Sequence, residues 1–206
     1  ADRLLQHRTF IDAAAAAGVR HVVYTSFLGA AADAIFTLAR THWATEEHLR
    51  ASGMGFTLLR DSFYLDFLPD LAVDGVIAGP AGTGRVGAVA REDVARSAAA
   101  VLADLAAGES RHDGAVYELT GPRALSLSDV AAILTAAGRP TVYRQESVEE
   151  AYASRSVYGA PDWQVDAWVS TYTAIASGAL DRVTHDVERL TGRRPLGLAE
   201  LLAGRP

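Results

Sequence analysis

Apolar and polar positions alternate along the first third of the chain in a pattern that predicts repeating helix and strand units. Residues 3–17 are alanine-rich with helical spacing, and after Gly18 the apolar run at 19–26 predicts a buried strand. A second helix is predicted at 37–51, and the β-branched and aromatic residues at 56–60 predict a second strand. Because helices and strands alternate, we expect a parallel sheet covered by helices.

The rest of the chain continues this pattern in shorter pieces. We predict helices at 93–105 and 161–175, a helix to Gly138 capped by Ser126 or Ser128, a capping box at 147–150, short strands at 76–77, 115–119 and 141–143, and a tail at 186–202 with two short helices around a turn. This organisation predicts a sheet domain, residues 1–119, and a small, mainly helical lobe, residues 120–206, with interleaving of their segments left open.

The beginning of the chain resembles the middle of a nucleotide-binding sheet. In such a sheet the phosphate-binding glycine turn follows the first strand. Here residues 1–6 already have a helical pattern, the first residue is not Met, and the strand at 19–26 ends without that turn. We therefore expect the sequence to be the C-terminal part of a longer polypeptide.

Composition narrows the function classes. Half of the 206 residues are apolar, as in a globular protein, and the net charge of -6 argues against a nucleic-acid surface. Cysteine is absent, and all 19 basic residues are arginine, which excludes a thiolate or a lysine as a catalytic group within this sequence. We find neither a signal-peptide pattern nor an apolar run of the ~20 residues that a bilayer requires, and we expect a cytoplasmic protein without membrane association.

The segment from Gly82 to Gly87 fits the pattern G-x-G-x-x-G, which has two interpretations. A dinucleotide fingerprint follows a strand directly, opens a helix and is answered by an acid about 20 residues later at the end of a strand. Here Pro80 interrupts the approach, residues 88–90 look extended, and Glu109 follows a helix. These features favour a glycine-rich loop between short strands.

A metal site is the next candidate, since His42, Glu46 and His48 lie close together in one predicted helix. The zinc-protease pattern requires Glu directly after the first His and a second His at the fourth position, where this chain has Glu46. A hydrogen bond between His42 and Glu46 on one helix face explains the spacing more simply, and we predict no metal.

Two predicted strands end in side chains that suit a ligand. Thr25 and Ser26 can face a ligand at the strand end or cap the following loop, and Phe63 and Tyr64 can pack the lobe or form one wall of a nicotinamide pocket. Farther along, Trp163, Trp168 and Tyr172 can line a cavity for a flat compound, although an aromatic stripe at helical spacing is more often core.

Six blocks in a fixed order resemble the NmrA-like atypical short-chain dehydrogenases, and among them the NADPH-dependent quinone oxidoreductases of type two. The resemblance covers nearly the whole chain, and the order of the blocks is more specific than any one of them. The blocks are Ala-Gly-Val-x-His-Val-Val-Tyr-Thr-Ser at 17–26, His-Trp-Ala-Thr-Glu at 42–46, Phe-Thr-Leu-Leu-Arg and an aromatic pair at 56–64, and the segments 89–95, 117–122 and 186–195.

This resemblance implies an α/β fold with a Rossmann-like, doubly wound parallel sheet and a small C-terminal α+β substrate lobe. Two strands, two helices and a third strand, roughly 70 to 80 residues, would precede Ala1. The family implies NADP(H) as cofactor, with NAD as the alternative, lying across the strand ends. By position, the resemblance implies contacts to the nicotinamide ribose from Thr25 and Ser26, contacts to the nicotinamide and phosphates from Phe63, Tyr64, Leu65 and Asp66, and a nearby place for Arg91.

One departure from the family pattern concerns the proton donor. Classical members use a Tyr-x-x-x-Lys pair, but this chain has Leu38 and His42 at those positions. A quinone can accept hydride without a dedicated strong acid, because a hydroxyl, an imidazole or water can stabilise the charge on its oxygen. The candidate catalytic residues are then His42, as ribose contact or proton donor, and Tyr64, as a second donor.

We therefore predict an oxidoreductase that transfers hydride from NAD(P)H to a quinone or a related flat carbonyl acceptor. Two alternatives stay open: an NmrA-like regulatory protein that senses NADP(H) without catalysis, and a stand-alone α/β interaction domain. The expected partner is a small quinone-like molecule rather than nucleic acid or membrane, and a homodimer is left open.

Overall fold

The computed structural model describes residues 3–204, and its elements follow the predicted alternation. The helices are α1 (Arg3–Ala16), α2 (Thr37–Ala51), α3 (Arg91–Ala106), α4 (Leu127–Ala136), α5 (Val148–Ser156), α6 (Asp162–Ala176), α7 (Asp186–Thr191) and α8 (Leu198–Leu202), with a 3-10 helix at Leu68–Leu71. The strands are β1 (His21–Phe27), β2 (Gly55–Asp61), β3 (Ala72–Val73), β4 (Val76–Gly79), β5 (Arg85–Val86), β6 (Val116–Leu119), β7 (Leu125–Ser126) and β8 (Val142–Gln145). Residues 1 and 2, also predicted as helix, lie outside the described residues. Among the described helices, none combines the length and the apolar composition needed to cross a bilayer.

A parallel sheet in the order β1, β2, β6 forms the centre of the first layer. β1 and β2 run in register, from His21 beside Gly55 to Phe27 beside Asp61. On its other side, Asp61 lies beside Leu119, the last residue of β6. The predicted parallel sheet is thus confirmed, and its strands deliver their carboxyl ends to one edge.

Helices cover both faces of this sheet. Neighbouring residues of β2 point to opposite faces, so each face can pack against its own helices. On one face Leu58 packs with Ile11 of α1 and Leu49 of α2. On the other face Leu59 packs with residues of α3, β6 and α7. Leu58 and Leu59 are both fully buried, which is typical of a central strand in a doubly wound sheet.

The second sheet has the order β3, β4, β8. β4 and β8 are parallel, with Val76 beside Val142, and β5 pairs with β7. Residues 72–79 therefore precede Leu119 in the chain but pair with a strand that follows it. Segments from both sides of residue 119 thus share one sheet, and the division into a sheet domain and a lobe stays a prediction.

The glycine-rich segment forms a turn between β4 and β5, as its loop interpretation predicts. Gly82 has a positive φ of 57°, which a glycine adopts without strain. A Cβ atom at Gly84 would lie 2.1 Å from the carbonyl oxygen of Ile175 in α6. After Gly87 the chain stays extended, and Val89 forms a bridge with Tyr64. Gly84 thus permits close packing of the loop on α6, and the segment does not open a helix.

Replacing Gly84 with alanine is expected to lower the free energy of unfolding by about 3 kcal/mol, the upper end of the usual cost of overpacking. The cause is the contact with the Ile175 backbone, which cannot rotate away. Gly82→Ala is the matched control, because open space surrounds its Cβ position and only its positive φ costs about 1 kcal/mol. Urea unfolding measures both variants. Equal losses in the two variants would contradict this packing role.

Candidate active site

A cavity of about 450 Å³ opens at the carboxyl ends of β1 and β2, where a doubly wound sheet is expected to bind its ligand. Side chains from both strand ends build its wall, together with groups from α1, α2 and the first residue of α3. Polar groups reach the cavity from Arg3, His7, Tyr24, His42, Tyr64 and Arg91. Of these, Arg3, His7 and Tyr24 were not among the predicted site residues.

Most of the residues predicted to contact the cofactor line this cavity, namely Thr25, Ser26, His42, Phe63, Tyr64 and Arg91. Leu65 and Asp66 lie beside it, outside the lining formed by the described residues. Leu65 is 1% exposed and packs in the core. The Asp66 carboxylate accepts a hydrogen bond of 2.9 Å from the backbone N–H of Arg91. Leu65 therefore anchors the segment that carries Tyr64, and Asp66 fixes the start of α3.

Thr25 and Ser26 face opposite sides of β1, because side chains alternate along a strand. Ser26 is buried, and its hydroxyl donates to the Glu46 carboxylate at 2.5 Å. Glu46 is fully buried and also accepts hydrogen bonds of 2.9 and 2.6 Å from the Arg60 guanidinium. Burial raises the pKa of Glu46, but the bonds from Arg60 and Ser26 outweigh burial and bring it below its ordinary value. The Ser26 hydroxyl is thus part of a buried network, whereas Thr25 is exposed.

The three candidate metal ligands on α2 form hydrogen bonds with different residues. Glu46 belongs to the buried network, His48 lies 2.7 Å from Asp12 of α1, and His42 lies 2.7 Å from Arg3. Over residues 3–204, no group of three or more His, Cys, Asp or Glu side chains is placed to hold a metal ion. These contacts also replace the hydrogen bond expected between His42 and Glu46.

Both ring nitrogens of His42 are engaged inside the cavity. Nε2 lies 2.7 Å from Arg3 Nη2, and Nδ1 lies 2.8 Å from the Tyr24 hydroxyl. Burial, assisted by Arg3 and His7, lowers the pKa of His42 to about 3, so the ring is neutral at neutral pH. Because a guanidinium only donates, Nε2 accepts from Arg3 and the ring proton is on Nδ1. This geometry favours orientation of Arg3 and Tyr24 by His42 over the predicted role as proton donor.

Leu38 and His42 lie one turn apart on α2, and both line the cavity. By resemblance, these are the positions of the tyrosine and lysine in the classical pair. The structure therefore places an alkyl group and a neutral imidazole where that pair would supply a phenol and an ammonium. The phenol and the ammonium of the classical pair are therefore absent from these two positions.

Asp61 and Tyr64 form a second polar pair in the cavity. The Tyr64 hydroxyl donates to Asp61 Oδ2 at 3.1 Å. Asp61 is 2% exposed, and neither its Oδ1 atom nor the Ser62 hydroxyl has a hydrogen-bond partner among the described residues. Burial raises the pKa of Asp61 to about 7, although the bond from Tyr64 lowers it, and burial together with Asp61 raises the pKa of Tyr64 to about 12. Asp61 escapes prediction because an Asp after a strand is also typical of a helix cap.

An aromatic wall closes the apolar side of the cavity. The ring centre of Phe63 lies 5.1 Å from that of Phe27 and 4.9 Å from that of Phe36. All three rings line the cavity, and their edge-to-face and tilted contacts are those that aromatic pairs prefer. Phe63 therefore packs in the core and forms a cavity wall at the same time.

A second cavity, of about 620 Å³, lies among β4, β8, α5 and α6. Trp168 and Tyr172 of the predicted aromatic stripe line it, and the Arg155 guanidinium lies 4.8 Å from the centre of the Tyr172 ring. Trp163, the third member of the stripe, is 50% exposed and is not part of this lining. Phe67 is a lining residue of both cavities.

Comparison with known proteins gives matches over nearly the whole chain. Residues 2–105 match a family profile described as NAD(P)H-binding. The chain is 36% identical over 203 residues to quinone oxidoreductase 2 of Escherichia coli, covering 96% of this chain and 69% of that protein. It is 31% identical over 204 residues to the NAD(P)H azoreductase of Xenophilus azovorans, covering 97% of this chain and 70% of that protein.

Solved structures give the same picture. The crystal structure of the NADPH-dependent quinone oxidoreductase of Escherichia coli in complex with NADPH is similar with a TM-score of 0.85 at 33% identity, covering 98% of this chain and 71% of that chain. NmrA, a negative transcriptional regulator in complex with NADP, is similar with a TM-score of 0.71 at 17% identity, covering 98% of this chain and 69% of that chain. At that identity, the second comparison shows the fold alone.

Proposed function

Because the chain belongs to the NAD(P)H-binding, NmrA-like family, we propose that it is an oxidoreductase that transfers hydride from NADPH to a quinone or a related flat carbonyl acceptor. The observation that carries this proposal is the cavity at the strand ends, which joins an aromatic wall to hydroxyl groups at the edge of a parallel sheet. The names of the two relatives, a quinone oxidoreductase and an azoreductase, support a flat conjugated acceptor. NADH is the alternative hydride source.

The residues at the strand ends fit a nicotinamide and its ribose. Phe63 offers a flat apolar surface, and the exposed Thr25 hydroxyl can bind a sugar hydroxyl. The Ser62 hydroxyl, which has no partner among the described residues, can satisfy a carboxamide. Arg91 brings a positive charge that suits a phosphate. This set of donors and the aromatic surface match the chemistry of the proposed cofactor.

The residues of the chain would act by orientation, exclusion of water and proton delivery. When bound, the reduced nicotinamide supplies the hydride. Tyr64 holds a proton in the cavity and is the proposed donor to the acceptor oxygen, on which negative charge develops. His42 holds Arg3 and Tyr24 in place, and the aromatic wall excludes water. The second cavity is the proposed place for the acceptor, because its lining includes aromatic rings and shares Phe67 with the first cavity.

Oxidation of NADPH by the wild-type protein with a panel of quinones tests this proposal. We expect turnover with at least one of them. Tight NADPH binding without turnover of any acceptor would overturn the reductase function and support the sensing alternative. Failure to bind either NADPH or NADH would support the remaining alternative, a stand-alone α/β interaction domain. The cytoplasmic location and the homodimer stay predictions, and light scattering tests the second.

His42→Ala is expected to lower NADPH affinity or turnover by up to about 30-fold, since two hydrogen bonds of about 1 kcal/mol each are lost and each 1.36 kcal/mol is about tenfold. His48→Ala is the matched control, because His48 lies on the same helix and binds the exposed Asp12 outside the cavity. Binding titrations and steady-state kinetics measure both variants. Unchanged kinetics in His42→Ala would remove His42 from the site.

A further inference from the structure

We propose that Asp61 supplies the proton that restores the Tyr64 hydroxyl after Tyr64 has protonated the acceptor. The protonation state of Asp61 then determines whether the Tyr64 hydroxyl donates its hydrogen bond to Asp61 or to the acceptor. This inference rests on the proposed function, in which Tyr64 is the donor. It assigns to Asp61 a positioning role, because Asp61 acts through Tyr64 rather than on the acceptor itself.

The surroundings of Asp61 favour a carboxyl group that carries a proton. Asp61 ends β2, is 2% exposed, and has one oxygen 3.1 Å from the Tyr64 hydroxyl and one oxygen without a partner among the described residues. Burial of a carboxylate that lacks a compensating cation is costly. Glu46 shows the opposite arrangement, because it is equally buried but bound to the Arg60 guanidinium. Burial raises the pKa of Asp61, and the hydrogen bond from the Tyr64 hydroxyl lowers it.

The hydrogen bond between the two side chains can run in either direction. An ionised Asp61 has no proton and can only accept a hydrogen bond. The Tyr64 hydroxyl then donates its proton to the hydrogen bond with Asp61 and not to a molecule in the cavity. A protonated Asp61 can donate to the phenol oxygen instead. The Tyr64 proton is then available to a molecule in the cavity.

The proton transfers balance in two steps. The O–H bond of Tyr64 breaks and an O–H bond forms on the acceptor oxygen, after the acceptor has taken the hydride of NADPH and left NADP⁺. The O–H bond of Asp61 then breaks, the phenol O–H bond forms again, and the Asp61 carboxylate takes one proton from solvent. The acceptor gains one hydride and one proton in total.

Other charged and titratable groups lie around the pair. They are Arg3 and His7 of α1, Tyr24 of β1, His42 of α2, Arg91 of α3, and Asp66 of the segment after β2. On β6 the residue beside Asp61 is the apolar Leu119. Burial lowers the pKa of His7 and of His42 below 6.5 and raises that of Tyr24 above 10.0. Asp61 is therefore the group expected to change its charge near neutral pH.

Asp61→Asn tests the inference, because asparagine has the same size and can still bond to Tyr64 but cannot titrate. In the wild type, kcat with NADPH and a benzoquinone is expected to fall about tenfold per pH unit above the titration of Asp61, between about pH 7 and about pH 9. In Asp61→Asn this fall should disappear, and kcat at about pH 6 should be lower by about tenfold or more. Asp12→Asn, which changes a carboxylate that lies outside the cavity, should keep the wild-type profile.

A second readout needs neither cofactor nor turnover. Infrared difference spectroscopy of the protein alone follows the carbonyl stretch of a protonated carboxyl group during a pH titration. We expect a band that titrates near neutral pH in the wild type and is missing in Asp61→Asn. Tyr64→Phe should move its midpoint to higher pH, because the Tyr64 hydrogen bond lowers the pKa of Asp61.

The outcomes separate this inference from the proposed function. An active wild type whose pH profile is unchanged in Asp61→Asn would overturn the role of Asp61 alone. An unmoved infrared midpoint in Tyr64→Phe would do the same, even if Asp61→Asn fails to fold. A wild type that oxidises no NADPH would overturn the proposed function, and with it proton delivery to an acceptor, whatever the infrared band shows.

Discussion

Replacing Glu46 with glutamine is expected to lower the free energy of unfolding by about 3 to 5 kcal/mol, the usual cost of removing one partner of a buried ion pair. Glu46 is fully buried and accepts hydrogen bonds from Ser26, Arg50 and Arg60. Glutamine would present an N–H₂ group to guanidinium groups that only donate. Arg60, which is 20% exposed, would then hold an uncompensated charge. Urea unfolding followed by circular dichroism measures the loss.

Glu47→Gln provides a matched control at the next position of α2. Glu47 is 51% exposed and pairs with Arg50 at 2.7 Å, so its removal should cost at most about 1 kcal/mol. Because both variants replace Glu with Gln, the difference between their free energies of unfolding isolates the effect of burial. Similar losses in both variants would mean that the Glu46 network contributes no more than an ordinary surface pair.

The stability of the protein is expected to depend on pH through Asp61. Its pKa is about 7 in the folded chain and 3.8 ordinarily, so between these values the folded state holds a proton that the unfolded state has lost. The contribution of Asp61 is therefore fully present below about pH 4, declines as pH rises, and is lost above about pH 7. Between about pH 5 and about pH 8 this amounts to about 3 kcal/mol, since one pKa unit corresponds to about 1.36 kcal/mol.

The difference between wild type and Asp61→Asn isolates this contribution from all other titrating groups. Asparagine cannot ionise, so Asp61→Asn should gain stability relative to the wild type as pH rises. Urea unfolding at several pH values, with the exposed Asp12→Asn as reference, measures this difference. A constant difference across the range would show that Asp61 has the same pKa in both states.

The edge of the sheet that holds the first cavity could be predicted from the sequence. Strands that alternate with helices are parallel, so polar residues at or just after the carboxyl ends of two of them, such as Thr25 and Tyr64, meet at one edge. The Rossmann-like fold was also accessible, because buried strands and amphipathic helices leave strong periodic patterns. The structure and the comparisons confirm the fold and the NAD(P)H-binding family.

Long-range partners could not be predicted in the same way. Glu46 and Arg60 lie 14 positions apart, and their contact depends on how α2 crosses β2. Periodicity indicates which helix face is buried, but it does not indicate which polar side chain of the neighbouring strand that face contacts. The place of Arg3 and His7 in the site could likewise not be predicted from the alanine-rich helix, because only the packing of α1 beside β1 brings them to the cavity.

The interleaved topology has a consequence for how the chain folds. Val187 of α7 completes the apolar cluster around Leu59, and the Leu196 backbone donates to Asp93 across 103 positions. Contacts between distant residues slow folding, because the loop between them must close before they can form. During synthesis, the sheet layer would therefore be incomplete until the C-terminal helices leave the ribosome. We expect the sheet layer and the helices at 186–202 to form cooperatively, as one unit.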